Sequence, residues 1–287
     1  MKPMLASPMK DNSVKHWNEW SIEEKFDGHR LIVHVTNIVQ AFARPRGDGR
    51  MIERVLPDHL TRQLRLLPPG IYDGELLSGD TGTDVTRGDL AHERSFVVFD
   101  LMQAGDIDTT RLEYFGRRKA LELIFDSIRN NPSVLRLAVS KPLTREDDMV
   151  RFLKLIWSAN GEGAIIKRNH SYYQPGKRSK DWIKIKRVMH ATLTVVGFEA
   201  SRGEVVDRGP FAIVKLRDDD GNETTAKTLN DFELKKFNDA AQKIEGTLDH
   251  VLRTHPAIGR KLVIEFPQRT RTGGYQGPVR WDRWDDE

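Results

Sequence analysis

The sequence predicts an α+β protein of two domains, residues 1–187 and 188–287. Three observations support this prediction. The chain has 287 residues, more than one domain usually contains. Apolar segments of strand length alternate with a few helical segments in the first two thirds, and after Arg187 the composition shifts to short strands. We therefore expect antiparallel sheets with helices first, followed by a small β-barrel.

Short runs of β-branched and aromatic residues, bounded by Gly, Pro, Asp or Asn, predict the strands of the first domain. These runs are HRLIVHV (29–35), SFVVFDLM (95–102), GAIIKR (163–168) and DWIKIK (181–186). Apolar residues at helical spacing predict a helix over 145–159, with Thr144 as N-cap and Asn160-Gly161 as a stop signal. We expect a second helix over 112–128 and a long loop over the polar stretch 78–93.

The second domain is expected to be a small barrel with one helix. Its strand candidates include TLTVVGF (192–198) and FAIVKLRD (211–218), and the turn signal Asp220-Gly221-Asn222 follows the second run. Apolar spacing then predicts a helix over 231–244. We place the domain boundary near residues 187–190.

Composition excludes several classes of protein. No uninterrupted apolar run approaches the roughly 20 residues that span a bilayer, and the N-terminal stretch MKPMLASPMKDNSVKHW lacks the apolar core of a secretory signal. A chain without cysteine has no disulfide, thiolate nucleophile or Cys-ligated zinc. The net charge of +4 permits a polyanionic partner without identifying one. We therefore expect a soluble protein with no membrane partner.

Five segments carry charged or aromatic residues in a distinctive order. They are KFDGHR (25–30), YDGELL (72–77), FVVFDLM (96–102), EGAIIKR (162–168) and DWIKIK (181–186). In order and spacing they resemble the nucleotidyltransferase motifs shared by ATP-dependent DNA ligases, RNA ligases and mRNA capping enzymes. DNA ligases match best, and the resemblance covers most of residues 3–187. It implies an adenylation domain followed by an oligonucleotide-binding (OB) barrel.

The motif residues have the chemistry that adenylation of a lysine needs. A lysine with a pKa near 10.4 is only about one part in a thousand neutral near pH 7.4, so Lys25 needs burial or neighbouring cations to attack phosphorus. In a strand, Trp182, Lys184 and Lys186 share one face, so both ammonium groups can face a phosphate. The resemblance implies that Lys25 attacks the α-phosphate of ATP while Lys184 and Lys186 neutralise the phosphate oxygens.

The resemblance also implies further ATP-binding residues. Glu23 matches the position that recognises the adenine amino group, Phe99 the ring that packs against adenine, and Arg30 a ribose or phosphate contact. Core packing is the alternative for Phe99, and both interpretations can hold. The family's S/T-R-x-G element reads ARPRGDGR here, so either Arg44 or Arg46 can take its role. We favour Arg46 because a glycine follows it directly.

Two glutamates in the motifs predict a divalent cation. Carboxylates near a phosphate repel it unless a cation intervenes, so Glu75 and Glu162 are expected as direct or water-mediated partners of Mg²⁺ or Mn²⁺. The resemblance places Glu75 on the ribose as well. Surface salt bridges are the alternative for both residues. The histidines show no spacing typical of metal ligands.

Positive charge concentrates between Lys167 and Arg187, where eight Lys or Arg residues lie beside a single acid. Such a stretch can bind phosphates along a duplex without sequence preference, and a solvated face is the alternative. The candidate DNA contacts are Lys167, Arg168, Lys177, Arg178 and Lys180. The C-terminal QGPVRWDRWDDE resembles the family's last motif, despite its acidic end. Arg280 and Arg283 are therefore candidate triphosphate contacts.

The sequence thus predicts an ATP-dependent DNA ligase that seals 3′-hydroxyl/5′-phosphate nicks in duplex DNA through lysyl-AMP and DNA-adenylate intermediates. Because only 24 residues precede Lys25, we expect a minimal ligase without a large N-terminal DNA-binding domain. We expect it to act as a monomer in bacterial cytoplasm or the cytosol of a virus-infected host, in DNA repair, replication or recombination. Two alternatives remain: an RNA ligase or capping-type guanylyltransferase, and a catalytically inactive nucleic-acid-binding protein.

Overall fold

The computed structural model describes residues 2–10, 13–44, 50–78, 93–199, 213–227, 231–267, 269–270, 273–275, 277 and 279–285. The chain divides into two compact units, Met1–Lys186 and Arg187–Glu287. The first unit combines sheets with helices, and the second contains a closed barrel. The predicted α+β class is therefore confirmed, whereas the predicted loop over 78–93 falls outside the described residues apart from its two ends.

The described part of the first unit is rich in strands and contains three α-helices. In chain order the strands are β1 (Leu5–Pro8), β2 (Trp20–Lys25), β3 (His29–Val35), β4 (Val39–Ala43), β5 (Ile52–Arg54), β6 (Gly70–Leu77), β7 (Ser95–Ala104), β8 (Ile107–Asp108), β9 (Leu135–Leu137), β10 (Ser140–Pro142), β11 (Gly163–Arg168) and β12 (Arg178–Lys186). The helices are α1 (Asp58–Leu64), α2 (Tyr114–Ser127) and α3 (Glu146–Ser158). Strands β3 and β11 have the predicted bounds, while β7 and β12 are longer than predicted.

These strands form two sheets, counted over the described residues. One has the order β1-β12-β11-β2-β10, and the other has the order β5-β4-β3-β6-β7-β8 with β9 beside β7. Most neighbours are antiparallel, as predicted, but β1 runs parallel to β12 and β9 runs parallel to β7. Strands β2 and β3 are consecutive in the chain yet lie in different sheets. The segment KFDGHR therefore crosses from one sheet to the other.

Strand β3 contributes to two apolar clusters because its side chains alternate between the two faces of the sheet. Leu31 and Val33 pack in a cluster that includes buried leucines of α1 and α2. Ile32 packs in another cluster with Trp182 of β12 and, at its edge, Phe99 of β7. This second cluster joins the two sheets beside the candidate site.

Helix α3 shows how local hydrogen bonds set its ends. The side chain of Asp148 accepts hydrogen bonds from the backbone N–H groups of Thr144 and Arg145. The N-cap is therefore Arg145 rather than the predicted Thr144, and the helix begins one residue later. Asn160, with φ of 60°, follows its end, as the predicted stop signal requires.

Helix α2 is held on β7 by a buried ion pair. Arg117 donates to both carboxylate oxygens of Asp100, at 2.7 and 3.0 Å, and to the carbonyl oxygens of Leu112 and Ser171. Neither side chain of the pair is exposed to solvent. Because Asp100 follows Phe99 directly, the pair also fixes the part of β7 that carries this ring.

Breaking the buried pair should destabilise the first unit strongly. In Arg117→Met, Asp100 keeps a buried charge without its counter-charge, which costs about 3–5 kcal/mol. The exposed pair between Arg111 and Asp108, at 3.2 Å, is the matched control, and Arg111→Met should change the free energy of unfolding far less. Urea unfolding followed by circular dichroism measures both variants. Equal losses of unfolding free energy in the two variants would contradict a strongly stabilising role for the buried pair.

The second unit is a closed barrel over its described residues, with the strand order β13-β14-β15-β17-β16. Its strands are β13 (Met189–Glu199), β14 (Ile213–Arg217), β15 (Glu223–Lys227), β16 (Lys261–Phe266) and β17 (Arg280–Trp284). Neighbours are antiparallel except β15 and β17, which run parallel. The turn between β14 and β15 uses Gly221 with φ of 86°, where the sequence predicts a turn. This five-stranded barrel is consistent with the predicted OB fold.

Between β15 and β16 the described residues form two helices, α4 (Asp231–Ala241) and α5 (Leu248–Thr254). The sequence predicts only one helix here, ending at residue 244, so that prediction is wrong in number and at its C-terminal end. Trp281 and Trp284 of β17 are buried in the barrel core. Among the residues that the structure describes, no helix combines the length and the apolar character needed to cross a membrane.

Candidate active site

A cavity of about 230 Å³ opens within the first unit. It is bordered by residues of both sheets, because the segment between β2 and β3 passes from one sheet to the other. Six of the predicted nucleotide-site residues border it: Glu23, Lys25, Arg30, Glu75, Phe99 and Lys184. The structure therefore brings together side chains that lie far apart in the sequence.

Lys25 is the last residue of β2 and pairs in register with Gly163 of β11. Its ammonium group binds one carboxylate oxygen of Glu162, and the other oxygen binds Lys186 at 2.6 Å. A Cβ atom on Gly163 would collide with the carbonyl oxygen of Ile185, so glycine is required where β11 approaches β12. One carboxylate, only 9% exposed, thus holds two ammonium groups, that of Lys25, which borders the cavity, and that of Lys186, which does not.

Lys184 adds a third ammonium group to this region. Burial lowers the pKa of Lys184, and the positive charges of Lys186, Arg178 and Lys25 lower it further. The two isoleucines that flank Lys184 pack in the apolar cluster on the opposite face of β12. Strand alternation therefore presents the lysine to the cavity while its neighbours fill the core.

Glu75 of β6 is a partly buried carboxyl group beside the same charges. Burial raises its pKa to about 8, although the positive charges of Lys25 and Arg30 oppose the increase. The negative charges of Asp73 and Glu162 raise the pKa further. Without a bound cation, Glu75 therefore carries a proton through much of the neutral range.

This raised pKa predicts a pH-dependent stability of the metal-free protein. The folded-state pKa of Glu75 lies above its ordinary value of 4.5, so folding favours the protonated carboxyl group. The stability that this protonated group contributes is lost as pH rises towards and through about 8. Glu75→Gln should therefore gain stability relative to wild type between about pH 5 and pH 9. Urea unfolding with a chelator present measures this, and Glu53→Gln on the exposed strand β5 is the control. A difference in unfolding free energy between Glu75→Gln and wild type that does not vary with pH would contradict the raised pKa of Glu75.

Arg30 and two aromatic rings form one wall of the cavity. The Arg30 guanidinium carbon lies 5.3 Å from the ring centre of Phe99 and 5.6 Å from that of Trp182. Arg30 donates to both carboxylate oxygens of Asp73 and to the carbonyl oxygen of Met4. These bonds leave few of its N–H groups for a nucleotide. Phe99 packs in the cluster between the sheets and also borders the cavity. The two roles predicted for it, core packing and packing against adenine, are therefore compatible with each other.

Glu23 and Lys167 form the most buried polar pair of the wall. The Lys167 Nζ atom lies 2.7 Å from one oxygen of Glu23, and the Tyr114 hydroxyl donates to the other. The side chains of Lys167 and Glu23 are only 1% and 2% exposed. The prediction that Lys167 contacts DNA is therefore wrong, because its ammonium group points into the protein and is already paired.

The donor set beside the cavity suits a hard divalent cation. Carboxylate oxygens are the ligands that Mg²⁺ and Mn²⁺ prefer. Within the described residues no Lys or Arg forms an ion pair with Glu75, whereas both oxygens of Glu162 bind lysines. A separate group of potential ligands, His190, Glu265 and Asp282, lies on the barrel strands of the second unit.

The model of the family described as "ATP dependent DNA ligase domain" matches residues 3–186, which is more than half of the chain. The chain belongs to the ATP-dependent DNA ligase family. Among its curated relatives, the DNA ligase of Natronomonas pharaonis is 28% identical over 99% of this chain and 54% of its own length. The bifunctional non-homologous end joining protein LigD of Bacillus subtilis is 24% identical over 71% of this chain and 36% of its own length. This ligase-family chain thus spans between a third and about half of the length of these relatives.

A solved structure supports the fold of this ligase-family chain over its whole length. It comes from a structure–function analysis of Lig E DNA ligases described as DNA binding with a minimal scaffold. The TM-score is 0.70 at 18% identity, and the match covers 99% of both chains. At 18% identity, this likeness shows a shared fold and no more.

The other predicted residues of this ligase-family chain that the structure describes border the cavity or lie at solvent-exposed positions. Arg46 falls outside the described residues, whereas its alternative, Arg44, borders the cavity. Arg178 is exposed, borders the cavity and donates to the carbonyl oxygen of Ala6. Arg168 binds Glu19 at 2.8 Å. The remaining candidates, Lys177, Lys180, Arg280 and Arg283, are exposed.

Sequence reasoning misses three residues that hold this site together. Asp73 binds Arg30, Tyr173 donates to Asp73 at 2.6 Å, and Tyr114 donates to Glu23. Asp73 could have been found, since it stands directly before Gly74 and Glu75 in a motif. The two tyrosines carry no local signal, because their partners lie on strands far away in the sequence.

Proposed function

We propose that this chain is an ATP-dependent DNA ligase that seals nicks between a 3′-hydroxyl and a 5′-phosphate in duplex DNA. The observation that carries the proposal is a cluster of lysines at the cavity. Glu162 binds both Lys25 and Lys186, and the positive charges of these two residues act on Lys184. A lysine nucleophile surrounded by cations suits attack on a phosphate. Family membership supports the choice of ATP and DNA as substrates.

In the first step, the amine of Lys25 attacks the α-phosphorus of ATP. A bond forms between the Lys25 nitrogen and the α-phosphorus. The bond between the α-phosphorus and the oxygen that bridges to the β-phosphate breaks, and pyrophosphate leaves with the electron pair of that bond. The carboxylate of Glu162, which already binds the Lys25 ammonium, is positioned to accept its proton. Lys184 and Lys186 neutralise the charge that spreads over the phosphate oxygens. Arg280 and Arg283 are candidate contacts of the departing pyrophosphate.

A divalent cation, Mg²⁺ or Mn²⁺, would supply further neutralisation of phosphate charge when bound. Glu75, which borders the cavity, and Glu162, whose oxygens bind Lys25 and Lys186, are the residues that would hold it, since carboxylate oxygens are hard ligands. Burial of Glu75 disfavours its charged form, and a nearby cation would favour it. Phe99, Trp182 and Arg30 would hold the base and ribose, with Arg44 or Arg46 as a further contact.

In the later steps, AMP moves from Lys25 to the 5′-phosphate of the nick, and the adjacent 3′-hydroxyl then attacks that phosphate and releases AMP. The exposed cations Lys177, Arg178 and Lys180 are candidates to bind the duplex, with Arg168 beside them. Phosphate contacts of this kind position a duplex without reading its sequence. Sealing of this kind would serve DNA repair, replication or recombination.

The proposal is tested with a gel assay on a labelled nicked duplex, incubated with the protein, Mg²⁺, and ATP or GTP. We expect sealing with ATP and a DNA nick, and none with GTP. A matched duplex with RNA strands at the nick separates DNA from RNA joining. Sealing of RNA alone would favour an RNA ligase, a GMP adduct would favour a capping-type enzyme, and duplex binding without any adduct would favour a catalytically inactive binding protein.

A further inference from the structure

We propose that His190, Glu265 and Asp282 form a zinc site on the outer face of the barrel in the second unit. The three residues belong to three different strands, β13, β16 and β17, so a bound ion fastens these strands to one another. The site consists of residues of the second unit alone. The inference therefore goes beyond the proposed function and does not depend on the chemistry at Lys25.

Three potential ligand atoms converge on the barrel surface. His190 pairs in register with Glu265, so their side chains share one face of the sheet. The Nε2 atom of His190 lies 3.6 Å from one oxygen of Glu265 and 3.7 Å from one oxygen of Asp282, and all three ligand atoms lie within 4.8 Å of one another. Ligand atoms that are roughly 2.0–2.1 Å from a tetrahedral ion are about 3.4 Å apart. A small movement of the side chains therefore gives the spacing that zinc needs.

A β-bulge on β17 supplies the third ligand. The partners of two consecutive residues of β16 are Arg283 and Trp281, so Asp282 between them is the extra residue of the bulge. Because of this extra residue, Trp281 and Trp284 both pack in the barrel core although they are three positions apart. Asp282 is left on the outer face, with its carboxylate beside that of Glu265.

The partner that competes for Asp282 is an exposed arginine. Arg283 donates to the same oxygen of Asp282 that lies near His190. The Arg283 side chain is 57% exposed, and ion pairs of such exposed side chains contribute little to stability. A divalent cation between two carboxylates is the larger local charge, so it displaces Arg283. The side chains of the three ligands are between 25% and 48% exposed, which leaves a path for the ion to enter.

The mixed set of donor atoms selects zinc over the magnesium expected at the cavity of the first unit. Mg²⁺ prefers oxygen ligands in octahedral geometry and usually keeps several of its waters. One imidazole nitrogen and two carboxylate oxygens suit Zn²⁺, which takes a water as its fourth ligand. The spacing of histidines in the sequence does not indicate this site, because its ligands come together only when the three strands pair.

The test is calorimetric titration of the full chain with Zn²⁺ or Mg²⁺, after metal has been removed with a chelator and the chelator by dialysis. We expect wild type to bind Zn²⁺ at this site, with no competition from Mg²⁺. His190→Ala and Asp282→Asn should weaken the binding at least about 100-fold, since loss of even an outer-shell partner costs roughly 10- to 100-fold. His170→Ala is the matched control and should bind as wild type, because His170 is an exposed histidine of the first unit that contacts the carboxylate of Glu113.

Thermal unfolding gives a second measurement on the same proteins. A ligand that binds the folded state raises the unfolding midpoint, so saturating Zn²⁺ should raise the midpoints of wild type and His170→Ala by several degrees. It should leave that of His190→Ala unchanged. Glu265→Gln replaces Asp282→Asn if the latter does not fold. Equal zinc affinity in wild type and His190→Ala, or no zinc binding by wild type, would overturn the proposal. Neither result bears on the adduct at Lys25, which mass spectrometry measures separately.

Discussion

Lys25→Ala is expected to form no adenylate, with a loss of at least about 10⁴-fold in the rate of adduct formation. The reason is that the substitution removes the nucleophile itself, whereas Lys184 and Lys186 stay fixed on a different strand. Intact-mass spectrometry after incubation with ATP and Mg²⁺ measures the adduct directly. The wild-type protein should gain the mass of one AMP.

Two controls show whether this loss is specific to the chemistry. Lys154→Ala, an exposed lysine of α3, should form the adduct at the wild-type rate. Lys25→Ala should also still seal a nick that already carries AMP on its 5′-phosphate, because that step needs no lysine nucleophile. An AMP adduct on Lys25→Ala would show that another residue is the nucleophile.

The second large effect is expected for Lys184→Met, which should slow adduct formation roughly 10²- to 10³-fold with a much smaller change in ATP affinity. Lys184 is partly buried and lies among the charges of Lys186, Arg178 and Lys25. A positive charge in such a place stabilises charge that develops on the phosphate oxygens during the reaction. Methionine keeps the length of the side chain but removes that charge.

Single-turnover kinetics separate the limiting rate of Lys184→Met from its half-saturating ATP concentration. Lys141→Met, at an exposed position of β10, is the control and should leave both quantities unchanged. If Lys184→Met raised only the half-saturating concentration, Lys184 would contribute to ATP binding rather than to the reaction.

The strands of the site were predictable because their signals are local. The alternation along β12 places Lys184 on the cavity side and the flanking isoleucines in the core, as the sequence suggests. Strands β3 and β11 have their predicted bounds for the same reason, since β-branched residues end at polar or glycine positions. The ordered motifs also indicated which of these strands would carry charged groups.

The pairing of side chains across the two sheets was not predictable in this way. Lys167 stands in a basic run, and the count of neighbouring charges suggested a surface that binds DNA. Its burial depends on Glu23 and Tyr114, which come from another strand and a helix, and no local pattern announces such partners. The ion pair between Arg30 and Asp73 was not predictable for the same reason. The register between β3 and β6 brings the two residues close, and no local pattern in the sequence indicates it.

The most direct test of the proposed ligase mechanism is a chase experiment with the labelled intermediate. Protein labelled with α-³²P ATP is freed of nucleotide and mixed with an unlabelled nicked duplex and Mg²⁺. The mechanism predicts that label leaves the protein, appears transiently on the DNA 5′-phosphate and ends as free AMP while the nick is sealed. Label that stays on the protein during incubation with the nicked duplex would contradict it.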